Sequence, residues 1–161
     1  MSYIAPSDTA IGHIHLKVSD LERSVAFYRD IIGLEVQTRM GDRAAFLGFG
    51  GYHHHLGLNT WHSAGEDPAP RRAPGLFHSA FLFKTRQGLA RAYKQALSAG
   101  VEIYGWADHG VSQAIYFDDP DGNGIEIYWD RPREDWPRDG NGNLTMVNER
   151  FDLSELLGLI E

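Results

Sequence analysis

Residues 12–36, GHIHLKVSDLERSVAFYRDIIGLEV, lie over residues 76–103, LFHSAFLFKTRQGLARAYKQALSAGVEI, with His13 on His78 and Tyr28 on Tyr93. An insertion of two residues near the end of the second copy then sets Gly33 on Gly100 and Leu34-Glu35-Val36 on Val101-Glu102-Ile103. Self-similarity of this kind makes each copy one supersecondary unit, so assignments in one constrain the other. In the first copy residues 13–18 alternate as a strand does, and Asp20 has the chemistry of a helix N-cap. Leu21, Val25, Tyr28 and Ile32 then recur at helical spacing until Gly33. In the second copy Leu89, Tyr93, Ala96 and Leu97 mark the inward stripe, and Gly100 supplies the permissive C-terminal conformation.

Beyond each glycine stop come three short candidate strands, roughly 35–39, 43–49 and 53–59 in the first copy and 101–104, 113–117 and 124–129 in the second. Gly41-Asp42, the GFGG of residues 48–51 and Pro120-Asp121-Gly122-Asn123 carry the turn chemistry between them. GFGG lacks the Lys-Ser/Thr and following helix of a phosphate loop, so it reads as a hairpin turn. Each module is therefore β-α-β-β-β. The spacing predicts one α+β domain over residues 1–161. Module one spans about 11–61, a proline-rich linker 62–74, module two about 75–130, and a polar tail 131–161 ends in Leu153, Leu156, Leu157 and Ile160. The tail is expected to pack on the domain or on a neighbouring subunit. A four-stranded sheet with one helix buries only one face, so two modules are expected to pair into a half-open barrel with a site between the sheets. Pairing within one chain and exchange between two chains of a homodimer are both compatible with the linker.

With 161 residues, 42% hydrophobic and 23% charged, the chain is of ordinary globular composition, and wholesale disorder is set aside. A formal charge of -7 disfavours nucleic acid and anionic membrane as partners. No apolar run approaches the roughly 18 residues of a spanning helix. The start MSYIAPSDTA lacks the order of a signal peptide, which points to the cytoplasm. There is no cysteine, so any metal must be held by His, carboxylate, amide or water. Arg71-Arg72 in the linker reads as a solvated pair, and Trp61, Trp106, Trp129 and Trp136 as core packing or the wall of an aromatic-binding cavity.

His13 and His15 share a strand face, and His78 takes the place of His13 in module two. The last strand, GIEIYW, sets Glu126 where a buried apolar residue would be the safe choice. An inward carboxylate is costly alone, but two neutral imidazoles and one carboxylate on rigid strands make a three-point platform for a divalent cation. Such a platform suits Fe(II), Mn(II), Ni(II), Co(II) or Zn(II).

On GHIHLKVSDLERSVAFYRDIIGL, GLFHSAFLF and IYFDDPDGNGIEIYWDRP, over about residues 11–132, the chain resembles the vicinal oxygen chelate superfamily. That superfamily includes glyoxalase I, extradiol ring-cleavage dioxygenases, fosfomycin-resistance enzymes and bleomycin-binding proteins. The resemblance implies that His13, His78 and Glu126 hold a divalent metal, to which substrates bind through adjacent oxygens. His109, Ile115-Tyr116, Asp119-Pro120, Gly122 and Glu126 are similar to the extradiol dioxygenase signature, with one departure at Ala107. By that resemblance Tyr116 and His109 hydrogen-bond the substrate oxygens or dioxygen, and His54 in YHHHLGLNTW handles protons. The implied function is an Fe(II)-dependent extradiol cleavage of a catecholic compound, with dioxygen as co-substrate. Alignment on glyoxalase I instead sets His55 on a fourth metal-ligand position and implies a lyase or isomerase using Ni or Zn. A non-catalytic binder of an aromatic ligand is the third reading, disfavoured by the intact ligand positions.

Overall fold

A computed structural model describes residues 2–161. Module one contains β1 (Ile14–Lys17), α1 (Leu21–Phe27) running on as a π-helical turn (Tyr28–Ile32), β2 (Glu35–Met40), β3 (Ala44–Gly48) and β4 (Leu56–Asn59). Module two contains β5 (Ser79–Leu82), α2 (Arg86–Ser98), β6 (Gly105–Asp108), β7 (Ser112–Asp118) and β8 (Gly124–Asp130). The sheets have the equivalent orders β1-β4-β3-β2 and β5-β8-β7-β6, and among the described residues no ladder joins them into a closed barrel. In each, the first strand runs parallel to the last and the remaining pairs are antiparallel. The duplicated α+β architecture expected from the repeat is therefore the one observed.

The local reasons are those of the sequence. Asp20 accepts from the Arg23 N–H at 3.0 Å and Thr85 from the Gly88 N–H at 3.0 Å, each satisfying an otherwise orphan donor in the first helical turn. Gly33 and Gly100 end the helical runs with φ of 87° and 74°, conformations in which a Cβ would be strained. Leu21, Val25, Tyr28 and Ile32 are buried as expected, and so are Leu89, Tyr93 and Ala96. Leu97, placed on the inward stripe, is instead 43% exposed at the end of α2.

Two strands begin later than the sequence suggests. Residues 101–104 form no ladder, because the Val101 N–H stays with the helix end, donating to the Ala96 carbonyl at 3.0 Å. The regular ladder starts at Gly105, opposite Tyr116, after a single bond from the Tyr104 N–H to the Tyr116 carbonyl at 3.1 Å. Residues 53–55 are bends rather than the start of β4, which begins at Leu56.

Ladder partners share a face. Leu16, Leu47, Leu56 and Leu58 from the first sheet and Phe81, Phe117, Ile125 and Ile127 from the second all join one apolar cluster with α1 and α2. Phe27 meets Phe117 and Tyr28 meets Phe81, so the helix-bearing faces of both sheets are covered by one shared core. The tail does pack on the domain. Leu156 of α3 (Leu153–Leu157) is fully buried, and the Trp106 indole N–H donates to the Phe151 carbonyl at 3.0 Å. In the linker Arg71 and Arg72 are both exposed, as a solvated pair would be, and Arg71 in addition pairs with Asp118 and lies 5.6 Å over the Tyr104 ring. Among the described residues no helix is long and apolar enough to cross a membrane.

Candidate functional site

In module two the site grows from the junction of β5 and β8. His78 immediately precedes β5, and Ala80 pairs with Glu126 in the ladder. A side chain on Gly124 would overlap the Phe77 carbonyl oxygen and press on the His78 Cβ, so the glycine is what lets the start of β5 lie flat on β8. There His78 Nε2 stands 2.8 Å from Glu126 Oε2. The other Glu126 oxygen accepts from the Tyr116 hydroxyl at 3.2 Å, and that hydroxyl is 2.8 Å from His109 Nε2. His109 Nδ1 lies 3.1 Å from the Val147 carbonyl oxygen. A carbonyl only accepts, so His109 carries a proton on Nδ1, and the single proton of the Tyr116 hydroxyl is shared between the Glu126 carboxylate and His109 Nε2. Burial, reinforced by the Glu126 charge and hydrogen bond, drives the Tyr116 hydroxyl far above the ordinary phenol range, which keeps it a proton donor at neutral pH. His78 Nδ1 is buried without a hydrogen-bond partner.

In module one the face opposite the helices carries His13, His15, Lys17 and Phe46. Phe46 pairs with Gly57, and His15 pairs with Gly57 from the other side. Under the repeat Gly57 is the counterpart of Glu126 and His15 that of Ala80. The His15 ring lies so close over Gly57 that a Cβ there would come within 2.8 Å of it, filling the place that the carboxylate takes in module two. His54 crosses to this face, with its ring 4.4 Å from His13 and 5.1 Å from Phe46, and its Nδ1 is 2.8 Å from His53 Nδ1. Partial burial and then the neighbouring imidazoles, His13 first, hold the His54 pKa below the ordinary value and leave it neutral. His55 is turned elsewhere: its Nδ1 accepts from the Phe49 N–H at 3.3 Å and its ring lies against Tyr52. The bend at residues 53–55 separates these neighbours, sending His54 but not His55 towards His13.

His78, Glu126, Tyr116 and His109 thus form one line of contacts, and His13 with His54 a second group on the other sheet. Among the described residues no three His, Asp or Glu side chains converge closely enough to hold one ion. The donor chemistry suits a divalent metal, since a carboxylate and an imidazole nitrogen already meet, but the third donor, His13, stands apart within one chain. Sequence reasoning missed the Val147 carbonyl, which orients His109; a backbone oxygen leaves no mark in residue types. A cavity of about 220 Å³ borders Tyr116 and the tail residues Asn148 to Arg150. Another, of about 330 Å³, lies beside Tyr104, Arg71 and Asp118.

Paired βαβββ modules with imidazoles and a carboxylate on the faces opposite the helices define a class of protein. The chain belongs to the Glyoxalase/Bleomycin resistance protein/Dioxygenase superfamily, whose family model matches residues 10–127. It is 43% identical over 150 residues to the catechol-2,3-dioxygenase of Bacillus subtilis (strain 168), an alignment covering 93% of this chain and 52% of that protein. It is 34% identical over 124 residues to the manganese-dependent 2,3-dihydroxybiphenyl 1,2-dioxygenase of Geobacillus genomosp. 3, covering 74% of this chain and 36% of that protein. The chain therefore spans about half or less of the length of these two relatives. A solved glyoxalase/dioxygenase from Nostoc punctiforme superposes with a TM-score of 0.67 at 25% identity, covering 82% of this chain and 99% of that one.

Proposed function

We propose that this protein is a metal-dependent extradiol-type dioxygenase that opens the ring of a catecholic compound with dioxygen. His13, His78 and Glu126 are the proposed metal ligands and Fe(II) the favoured metal, with Mn, Ni and Zn as alternatives. A divalent metal at these donors supplies the positive charge that ionises a vicinal diol at neutral pH. The observation that carries the reading is the line His109, Tyr116, Glu126, His78. It sets a phenol that keeps its proton beside the proposed ligand carboxylate, with a histidine of fixed tautomer behind it. Tyr116 holds the substrate oxygens by hydrogen bonding, His109 orients the Tyr116 hydroxyl, and neutral His54 accepts and returns the proton of a substrate hydroxyl. The similarity to catechol-2,3-dioxygenase supports the choice of substrate class. The glyoxalase-like reading needs His55 among the ligands, and His55 is instead engaged by the Phe49 N–H.

The test is anaerobic loading with Fe(II) followed by oxygen uptake against a panel of catechols, with the yellow ring-cleavage product as a second readout. Uptake matched by product is expected. No uptake with any catechol, from protein shown to hold the metal, overturns the reading.

A further inference from the structure

We propose that the substrate is a catechol whose side chain ends in a carboxylate, and that Arg150, on the C-terminal tail, is the residue that selects it. The inference rests on the dioxygenase reading above and adds what lies on the far side of Tyr116 from the proposed ligands.

Tyr116 pairs in the ladder with Glu126 on one side and with Gly105 on the other, so the direction that leads away from the ligands runs over β6, the edge strand of the sheet. Beyond that edge the tail is laid down as a wall. Asp108 and Glu149 exchange both backbone hydrogen bonds, at 2.8 and 3.0 Å, and the Val147 N–H donates to the His109 carbonyl at 3.1 Å. The cavity of about 220 Å³ is bordered by Gly105, Ala107 and Tyr116 from the sheet and by Asn148, Glu149 and Arg150 from the tail. Whole ligands occupy pockets of about 300–1,000 Å³, so this one fits a substituent, with the ring itself left at Tyr116.

Arg150 brings to that cavity a positive charge that no acid answers. Its Nη1 donates to the Trp106 carbonyl at 2.9 Å and its guanidinium lies 4.1 Å from the centre of the Trp106 ring, two contacts that fix it at the β6 edge. Among the described residues no carboxylate forms an ion pair with it, the neighbouring Glu149 included. The single bond to Trp106 leaves most of the guanidinium donors unclaimed, and a carboxylate takes such a fork through two parallel hydrogen bonds. The Asn148 amide, on the same wall, is a further donor.

The other cavities are less suited to an anion. Beside Tyr104, Arg71 is already paired with Asp118, and Glu102 and Asp119 line the same space. The cavity at Lys17 is lined by Glu66, Asp67 and Asp121. Each therefore sets three carboxylates against one cation, whereas the tail cavity sets Glu149 alone against Arg150.

The experiment measures anaerobic calorimetric binding to the Co(II)-loaded protein, and separately oxygen uptake by the Fe(II)-loaded protein, for a set of catechols of like length. One carries a carboxyethyl chain, and the others are its methyl ester, the propyl analogue and the aminoethyl analogue. The proteins are wild type, Arg150→Gln and Arg150→Lys. Circular dichroism checks the fold; Arg150 is exposed, so its truncation leaves the core intact. Wild type is expected to bind the acid about 10- to 100-fold tighter than the ester, the worth of a hydrogen bond to a charged group. Arg150→Gln is expected to lose that preference, with the loss falling on KM for the acid rather than on kcat, and Arg150→Lys to retain part of it. The wild-type comparison of acid with ester decides the matter without any variant. Equal affinity for the two, a preference for the amine drawn by Glu149, or a preference for the acid that survives Arg150→Gln overturns the subsite and leaves the dioxygenase reading standing. Neither binding nor oxygen uptake with any catechol of the set, from protein shown to hold metal, overturns that reading and the subsite with it.

Discussion

The Tyr28 hydroxyl, in the helix of module one, donates to Asp119 Oδ2 at 2.8 Å in the turn that leads into the last strand of module two. Both residues are buried, and 91 positions separate them in sequence. The same carboxylate accepts from the Asp121 and Asn123 backbone N–H groups at 2.9 and 2.8 Å and from the Asn123 side-chain amide at 2.9 Å. One acid thus closes the DPDGN turn and ties it to the other module. Burial first, then the Asp119 charge, pushes the Tyr28 hydroxyl well above the phenol range, so it remains a donor across the stable pH span.

Tyr28→Phe removes one of four donors and leaves the carboxylate otherwise satisfied. A loss of about 1–2 kcal/mol is expected, read as a shift of the urea midpoint. Asp119→Ala strips the turn of its acceptor, strands the buried Tyr28 hydroxyl and leaves part-buried N–H groups without it, and its cost is expected to exceed that of Tyr28→Phe by at least about 1 kcal/mol. Equal costs for the two would show that the turn does not depend on this carboxylate.

Tyr116→Phe keeps the ring and deletes the hydroxyl that stands between His109 and Glu126. Under the proposed function kcat falls by about 10²- to 10⁴-fold, the range of a lost proton-handling group. Co(II) affinity is expected to fall as well, by about 10- to 100-fold, because that hydroxyl donates to the proposed ligand Glu126, so kcat is compared at saturating metal; the thermal midpoint changes little. A variant with wild-type kcat removes Tyr116 from the reaction.

The repeat made the modules readable because every element has a local cause that survives in both copies: Asp20 or Thr85 at the helix start, a glycine at the helix end, alternation in the strands. It also singled out His78 and Glu126, whose meeting follows from strand parity and one ladder. Other features lay beyond it for physical reasons. His54 and His55 differ in direction through a bend at residues 53–55, and bends leave no periodicity. The strand expected at residues 101–104 moved to Gly105–Asp108 because the helix end holds Val101 by a backbone bond, which residue types do not report. The separation of His13 from His78 is set by packing of Tyr28, Phe27 and their partners, contacts with no signature in either module read alone.

Gly124→Ala tests how closely the site depends on backbone approach. The added methyl would overlap the Phe77 carbonyl oxygen and crowd His78, and both belong to backbone or to the root of a side chain, which cannot swing away. A destabilisation of about 1–3 kcal/mol is expected from the overpacking. Because relief requires the start of β5 to lift from β8, Co(II) affinity is expected to fall together with stability. A variant that loses stability yet binds Co(II) as wild type would show that the β5 start moves as a unit with His78 and Glu126 still in register.

Asp108 closes β6 against the rest of the second sheet and supplies a prediction with a definite sign. Its burial alone would raise the pKa, but the bonds from the Gln113 amide at 3.0 Å and the Gly110 N–H at 2.8 Å, with the Arg131 guanidinium beside it, outweigh that and hold the carboxyl below its ordinary value. The folded state therefore releases this proton more readily than the unfolded chain. Its contribution is complete above the ordinary carboxylate range, about pH 4, and is lost as the pH falls through the lower folded value. Asp108→Asn retains the shape and one acceptor but cannot ionise. The variant is accordingly expected to be less stable than wild type at pH 7, with the gap narrowing below about pH 4 as the wild-type carboxyl takes up its proton. Urea unfolding of both proteins at a series of pH values from 7 downwards gives the comparison, and a gap that stays constant across that window would mean that the loss in the variant is one of packing, with no share from the charge on Asp108.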